Sequence, residues 1–305
     1  MVCGHRMDDT LYTLDDLSSR ERLDAGHRSP ARLAVIGYPV AHSLSPKMHQ
    51  PALDQAGIDA RYIKLEVEPD RVAQAFALMS GLGFVGCNVT VPHKFEALAA
   101  CDMLDPGAAE MGAVNTVIFR GDGVEGHNTD GYGFEEAVRE TLGAGLSGAC
   151  LLIVGAGGGA GGAISTHCAR NGAAKLILLN RSLDKIEELA SRLHRHHGEL
   201  EIITAGLGQA GLAKLAAEAD LIVNTSSLGL KEGDPSPLPA GCFHAGQAVF
   251  DTIYRSSTAF QEAARTAGAR VGTGKEMLLH QGAKAFRIWF PGSDPVPAMR
   301  RGLGF

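Results

Sequence analysis

A chain of 305 residues has room for two domains of ordinary size, each with its own core. Its 45% hydrophobic and 20% charged residues exclude a disordered or fibrous protein and fit a soluble globular one. A net charge of −6 argues against a nucleic acid or an anionic membrane as partner, so any bound anion must be held by local donors.

The first thirty residues are polar and charged, without a hydrophobic signal core, and no apolar run reaches membrane-spanning length. They read as a flexible or loosely docked extension with one short helix near 14–23, and the compartment read from them is the cytoplasm. Cys3, Cys87, Cys101, Cys150, Cys168 and Cys242 form no C-x-x-C pair and no regular spacing. Neither a disulfide framework nor a metal site is expected, only isolated thiols.

Regular patterning starts at Arg32. Apolar strand runs at 33–36, 60–67 and 84–89 alternate with helical patterns at 46–56 and 70–79, which implies a parallel α/β sheet. After the first strand comes Gly-Tyr-Pro-Val-Ala-His-Ser-Leu-Ser-Pro at 37–46. Ser45 before Pro46 reads as an N-cap with proline at the first helical position. It is either a cap alone or, with the second hydroxyl of Ser43, a carboxylate site at a helix N-terminus. Pro51 in the second turn is expected to kink that helix.

The run Gly-Cys-Asn-Val-Thr-Val-Pro-His-Lys at 86–94 ends a buried strand in Asn88 and Thr90, and Pro92 then opens a helix. Lys94 falls in its first turn, where the helix dipole disfavours a cation. It is either a solvated lysine or one whose pKa is lowered from about 10.4 into the range of a proton shuttle. Asn115 is either a turn amide or a ligand. Asp130 is either the N-cap of a helix beginning near Gly133 or a carboxylate that holds the Lys94 amine.

A second α/β series follows, with strands at 150–154, 175–179, 201–204, 221–224 and 248–251. The first of these runs into Gly155-Ala-Gly-Gly-Gly-Ala-Gly161 and a helical pattern. Gly155 permits the turn, Gly157 lets backbone N–H groups approach a pyrophosphate, and small Ala160 lets the helix pack on its strand. This reads as a dinucleotide site. The next strand ends in Asn-Arg-Ser-Leu-Asp-Lys at 180–185, without the acid expected for a free ribose 2′-OH. Arg181, Ser182 and Lys185 can grip a 2′-phosphate instead, which selects NADP over NAD; in the other case Asp184 turns toward the ribose. The helix at 184–193 puts Ile186, Leu189, Ala190 and Leu193 on one face. The Pro- and Gly-rich stretch 231–241 reads as a surface loop, and Pro291 stops a last long helix at 275–290.

These pieces together resemble the shikimate dehydrogenase family over 33–289. The resemblance is carried by the runs at 42–46, 88–94, 113–116, 128–130, 155–158, 180–182, 224–229 (Asn-Thr-Ser-Ser-Leu-Gly) and 281–286 (Gln-Gly-Ala-Lys-Ala-Phe). It implies an α/β fold of two domains with the active site in the cleft between them. The substrate domain would be 31–130, completed by 275–305; a Rossmann-type domain would be 131–274, and 1–30 an extension. By the same resemblance Lys94 and Asp130 are the catalytic pair. Ser43 and Ser45, helped by Tyr254, bind the substrate carboxylate; Thr90, Asn115 and Gln281 bind the ring hydroxyls. Gly155, Ala156, Gly157, Gly158 and Gly159 form the pyrophosphate turn. Asn180, Arg181, Ser182 and Lys185 form the 2′-phosphate loop, and Thr252 and Gly274 lie near the nicotinamide.

Gly161 stands where many family members carry arginine, and Thr252 and the run 254–257 depart from the commonest forms. The implied reaction is the reversible NADPH-dependent reduction of 3-dehydroshikimate to shikimate, on the route to chorismate and the aromatic amino acids, with no metal. The alternatives are a quinate/shikimate dehydrogenase using NAD, an aminoshikimate-type relative, and a non-catalytic NADP-binding sensor. The last of these should lack the Lys94–Asp130 pair. Monomer and homodimer both fit the sequence.

Overall fold

The computed structural model describes residues 10–255 and 257–305. It divides into two compact units: residues up to Thr129 together with Gln281–Phe305, and Asp130–His280. These breaks fall one residue before the expected first boundary and six after the expected second one.

The first unit runs β1 (Leu11–Tyr12), α1 (Arg20–Leu23), β2 (Ala31–Gly37), α2 (Ser45–Ala56), β3 (Arg61–Glu66), α3 (Val72–Gly81), β4 (Gly86–Val89), α4 (Lys94–Ala100), β5 (Met103–Leu104), α5 (Pro106–Met111), β6 (Thr116–Arg120) and β7 (Gly123–His127). Its seven strands form one sheet in the order β1-β3-β2-β4-β6-β7-β5. Strands β1 to β4 pair parallel, and β2 is buried almost throughout, which is why it reads as an unbroken apolar run. The expected all-parallel sheet is corrected beyond β4. There β6 pairs antiparallel with both β4 and β7, and β6 and β7 form a tight hairpin turning between Arg120 and Gly123. Antiparallel neighbours need only such a short connection.

The reading of 1–30 as a loose extension is corrected for its described part. β1 pairs with β3, and Leu14, Leu17 and Leu23 are buried in the same core as Ile63, Leu65 and Phe76. Arg61 holds the segment: its guanidinium donates to Ser29 O at 2.9 Å, Tyr12 Oη at 3.0 Å and Leu23 O at 3.0 Å. A buried cation is tolerable only when its donors are satisfied, so the polar segment is tied in through its carbonyls.

The first unit also buries an uncharged histidine. His49 of α2 is fully buried, its ring stacked on Tyr62 at 4.4 Å with 4° between the planes and tilted against Trp289 at 5.4 Å. Burial pulls its pKa down to about 3. The unfolded chain takes up this proton below about pH 6.5 and the folded one does not, so stability is lost as pH falls from there towards 3. The expected contribution is about 1.4 kcal/mol per pH unit. Denaturant melts of wild type and His49→Gln between pH 6.5 and 4.5 should therefore diverge by about 2.5 kcal/mol, with the shallower acid limb in the variant. Parallel acid limbs would place that proton uptake on another group.

The second unit runs α6 (Asp130–Leu142), β8 (Cys150–Val154), α7 (Gly159–Arg170), β9 (Lys175–Asn180), α8 (Leu183–His196), β10 (Glu201–Gly206), α9 (Leu212–Ala217), β11 (Leu221–Asn224), β12 (Ala248–Asp251), α10 (Ala259–Thr266), β13 (Arg270–Thr273) and the start of α11 (Gly274–Trp289). The rest of α11 and α12 (Val296–Leu303) return to the first unit. The six strands pair parallel throughout in the order β10-β9-β8-β11-β12-β13. Counted from β8 this is the doubly wound 3-2-1-4-5-6 arrangement of dinucleotide-binding sheets. Ile186, Leu189 and Leu193 of α8 are buried as their spacing predicts, with Ala190 at the edge. β13 escapes sequence reading because it is four residues long and contains Gly272. A Cβ there would lie 2.6 Å from Thr141 Oγ1 and 2.8 Å from the Phe250 ring. Among the described residues no helix is long and apolar enough to cross a membrane.

Candidate active site

In the first unit the C-terminal ends of β2 and β4 meet. Thr90 N donates to Ile36 O at 2.9 Å and Tyr38 N to Val91 O at 3.1 Å. A Cβ on Gly37 would lie 2.5 Å from Thr90 Cγ2, so the turn needs glycine for the two loops to touch. Both loops continue through cis X-Pro peptides, Tyr38–Pro39 and Val91–Pro92. Ligands of open α/β sheets bind at such strand ends.

The cap of α2 differs from expectation by one residue. Leu44 takes the N-cap position, and Ser45 is the first helical residue with Pro46 behind it. The Ser43 hydroxyl accepts from Ser45 N at 3.3 Å, so it is Ser43, not Ser45, that serves the helix start. At the other loop the helix opens on Lys94 itself, not on Pro92, with His93 at the cap. His93 is buried and its Nε2 donates to Val67 O at 2.7 Å, while Lys94 O accepts from Val114 N at 3.0 Å. The backbone under Lys94 is therefore pinned from both sides, and the second bond leads directly to Asn115.

Asn115 lies in a buried polar cluster, its amide bonded to side chains and backbone of neighbouring elements. Its Oδ1 accepts from Thr129 N at 2.8 Å, and its Nδ2 donates to Thr129 Oγ1 at 3.0 Å. Thr129 Oγ1 donates on to Gln281 Oε1 at 3.4 Å. Ser43, Ser45, Thr90, Lys94, Asn115 and Gln281 thus all belong to the first unit, whereas Asp130 and Tyr254 belong to the second. Asp130 is buried and is the first residue of α6, not a cap ahead of Gly133.

The second unit carries a groove of about 300 Å³ at the C-terminal edge of its sheet. Gly155, Gly157 and Gly158 form one wall, and Asn180, Arg181, Ser182 and Lys185 line the end beyond β9. Gly155 has φ +81°, and a Cβ on Gly157 would lie 2.6 Å from Asn180 Nδ2. Side chains there would fill the cradle. Gly158 caps the twelve-residue α7, whose N-terminus supplies unpaired N–H donors to an anion. No Asp or Glu is among the described residues that line the groove, and Asp184 is not one of them. The residues present fit a dinucleotide with a phosphate on its ribose.

Four expected cofactor residues do not line this groove. Ala156 is fully buried with its side chain in the core, and Gly159 is already the first residue of α7. Thr252 N is bonded to Asn224 O at 3.0 Å, and Gly274 opens α11. The helix packs closely at Gly161, not Ala160: a Cβ on Gly161 would lie 2.5 Å from Gly155 O and 2.6 Å from Thr225 Oγ1. The departure at Gly161 is therefore matched by its surroundings, where no arginine fits without a shift.

Sequence reading assigned no role to the opposite wall, Leu207 and Thr225, Ser226, Ser227 and Leu228. Its available signal was a buried strand, 221–224, ending in a polar run level with Gly155. Ser226 Oγ and N donate to Asn224 Oδ1 at 2.7 and 3.0 Å, and Asn224 Nδ2 donates to Asp251 Oδ1 at 2.9 Å. Asp251 is fully buried; burial pushes its pKa up, against the pull of Thr258, Gln261, Ile253 and Asn224 as donors. That anchor holds the wall in shape.

A doubly wound sheet with a glycine turn and a basic groove at its switch point, in one chain with an amide- and hydroxyl-lined α/β unit, defines a dinucleotide-dependent oxidoreductase. Residues 35–117 match the family model of the shikimate dehydrogenase substrate binding domain, and 274–301 that of the shikimate 5'-dehydrogenase C-terminal domain. The shikimate dehydrogenase (NADP(+)) of Moorella thermoacetica is 40% identical over 277 residues, 90% of this chain and 93% of that protein. A Thermus thermophilus shikimate 5-dehydrogenase, solved in complex with NADP(H) and shikimate, superposes with a TM-score of 0.78 at 36% identity over 90% of this chain and 98% of that one. Quinate dehydrogenase from Corynebacterium glutamicum, solved with NAD, gives 0.79 at 27% identity over 90% and 98%. The chain belongs to the shikimate dehydrogenase family.

Proposed function

We propose that the protein catalyses the reversible NADP-dependent interconversion of shikimate and 3-dehydroshikimate, working in the cell as the reductase of the latter. The observation that carries this reading is the phosphate end of the groove. There Arg181, Ser182 and Lys185 stand where an NAD enzyme carries an acid, and no carboxylate is among the described residues that line the space. The cofactor, when bound, supplies or takes the hydride.

The remaining chemistry belongs to the chain. In the direction of reduction the Lys94 ammonium gives its proton to the oxygen that becomes the C3 hydroxyl, and its charge stabilises the alkoxide as it grows. In oxidation the amine takes that proton back. Asp130 is the carboxylate partner that orients Lys94 and a neighbouring ring hydroxyl. Ser43 and Ser45 receive the carboxylate with Tyr254, and Thr90, Asn115 and Gln281 receive the ring hydroxyls.

Initial rates for shikimate and quinate, each with NADP⁺ and NAD⁺, test the assignment. Shikimate with NADP⁺ is expected to lead shikimate with NAD⁺ in kcat/KM by about a hundredfold or more, the size of two charged contacts to a phosphate, and to lead both quinate pairs. Comparable rates with quinate and NAD⁺ would favour the second reading, to which the likeness to a quinate dehydrogenase points. A chain that binds NADP but turns over neither substrate would be the sensor.

A further inference from the structure

Inside the first unit a single run of hydrogen bonds leads from the buried sheet to the amides expected at the hydroxyl end of the substrate. Its start is Tyr62 of β3, which is 1% exposed. The phenol donates to Asn88 Oδ1 at 2.7 Å. Asn88 Nδ2 donates to Thr116 Oγ1 at 3.1 Å, and Thr116 Oγ1 to Asn115 Oδ1 at 2.9 Å. Asn115 Nδ2 then donates to Thr129 Oγ1, which donates to Gln281 Oε1.

The donors run in one direction, from Tyr62 to Gln281. The Thr116 and Thr129 hydroxyls each accept one bond and give one, so neighbouring bonds polarise each other in a low-dielectric core. Tyr62, Asn88, Asn115, Thr116 and Thr129 are all buried, and breaking the run at any point leaves a buried group unpaired. Tyr62 is itself held on two sides. His49 stacks on its ring at 4.4 Å, and its backbone N–H donates to Gln50 Oε1 of α2 at 3.0 Å.

We propose that Tyr62 is a positioning residue whose phenol, through Asn88 and Thr116, orients the Asn115 and Gln281 amides at the hydroxyl end of the site. These amides are then aligned before a ring carrying neighbouring hydroxyls arrives. At the far end the bond from Thr129 sets Oε1 as the acceptor of the Gln281 amide, which makes Nε2 its donor towards a ring oxygen. The inference rests on the substrate assigned under Proposed function.

Tyr62→Phe keeps the ring and its stack on His49 and deletes only the phenol oxygen. The KM for shikimate is expected to rise about tenfold, with kcat and the KM for NADP⁺ changed by no more than about twofold. In a double-mutant cycle, Tyr62→Phe/Thr116→Val should be no worse than Thr116→Val alone, because the cut at Thr116 already disconnects Asn115 from the phenol. An unchanged shikimate KM, a matching loss in the KM for NADP⁺, or losses that multiply fully would overturn the proposal. If Tyr62→Phe does not fold, Thr116→Val cuts the run one link before Asn115 with a side chain of the same shape. The same KM rise is then expected, and its absence overturns the proposal equally. Wild-type protein that neither oxidises shikimate nor binds it in a calorimeter would overturn the functional assignment itself. Wild-type turnover beside an unaltered Tyr62→Phe overturns the coupling alone.

Discussion

Lys94→Ala is expected to lower kcat for shikimate oxidation about a thousandfold while NADPH affinity stays within about twofold of wild type. The size follows from two lost functions, the proton carrier and the cation beside the developing alkoxide. The selectivity follows from position. Lys94 opens α4 in the first unit, whereas every residue lining the glycine-turn groove belongs to the second. Its backbone bond from Val114 does not involve the side chain, so truncation should leave the Asn115 segment in place. Single-turnover rates together with NADPH fluorescence titration separate the effects. Loss of cofactor binding with an intact chemical rate would remove Lys94 from the role assigned here. Lys94→Arg should rescue little, since a guanidinium keeps the charge but does not give up its proton.

The second large effect concerns the groove. Arg181→Ala/Lys185→Ala is expected to raise the KM for NADP⁺ about a hundredfold and to leave the KM for NAD⁺ nearly unchanged, since two charge-assisted bonds of about 1.5 kcal/mol each are removed from the phosphate alone. Both side chains are exposed, so stability should hardly move. The rise should also shrink as salt is added, because exposed charges are screened. Equal losses for the two cofactors would place these cations on the pyrophosphate or on the fold rather than on the ribose phosphate. In that case Ser182 and the neighbouring Asp184 would become the residues to substitute next.

The two units were not equally legible before folding. Strands 150–154, 221–224 and 248–251 keep the same bounds in sequence and structure, because a parallel strand covered on both faces must be a continuous apolar run. The glycine turn was readable for a similar reason: a positive φ at Gly155 and the close approach at Gly157 restrict the residue type directly. The hairpin β6–β7 was not among the expected strands; one of its strands is mostly half-buried and mixes Glu and His with glycine. Residues 11–30 looked like a loose leader because their polar composition hides the fact that Arg61, thirty or more positions away, satisfies their carbonyls.

By itself the sequence determined the α/β class of both units, the dinucleotide turn, the basic loop after β9 and the identities of the polar residues available for chemistry. Each of these is a local property: a period, a turn conformation or a side-chain type within a few residues. The tertiary structure alone decided which Gly of the turn bears the helix contact, that Thr225 to Leu228 form the facing wall, and that a run of hydrogen bonds leads from Tyr62 and Asn88 to Gln281. Those outcomes depend on strand order and on burial. Both are set by packing between segments far apart in the chain, which no local pattern encodes.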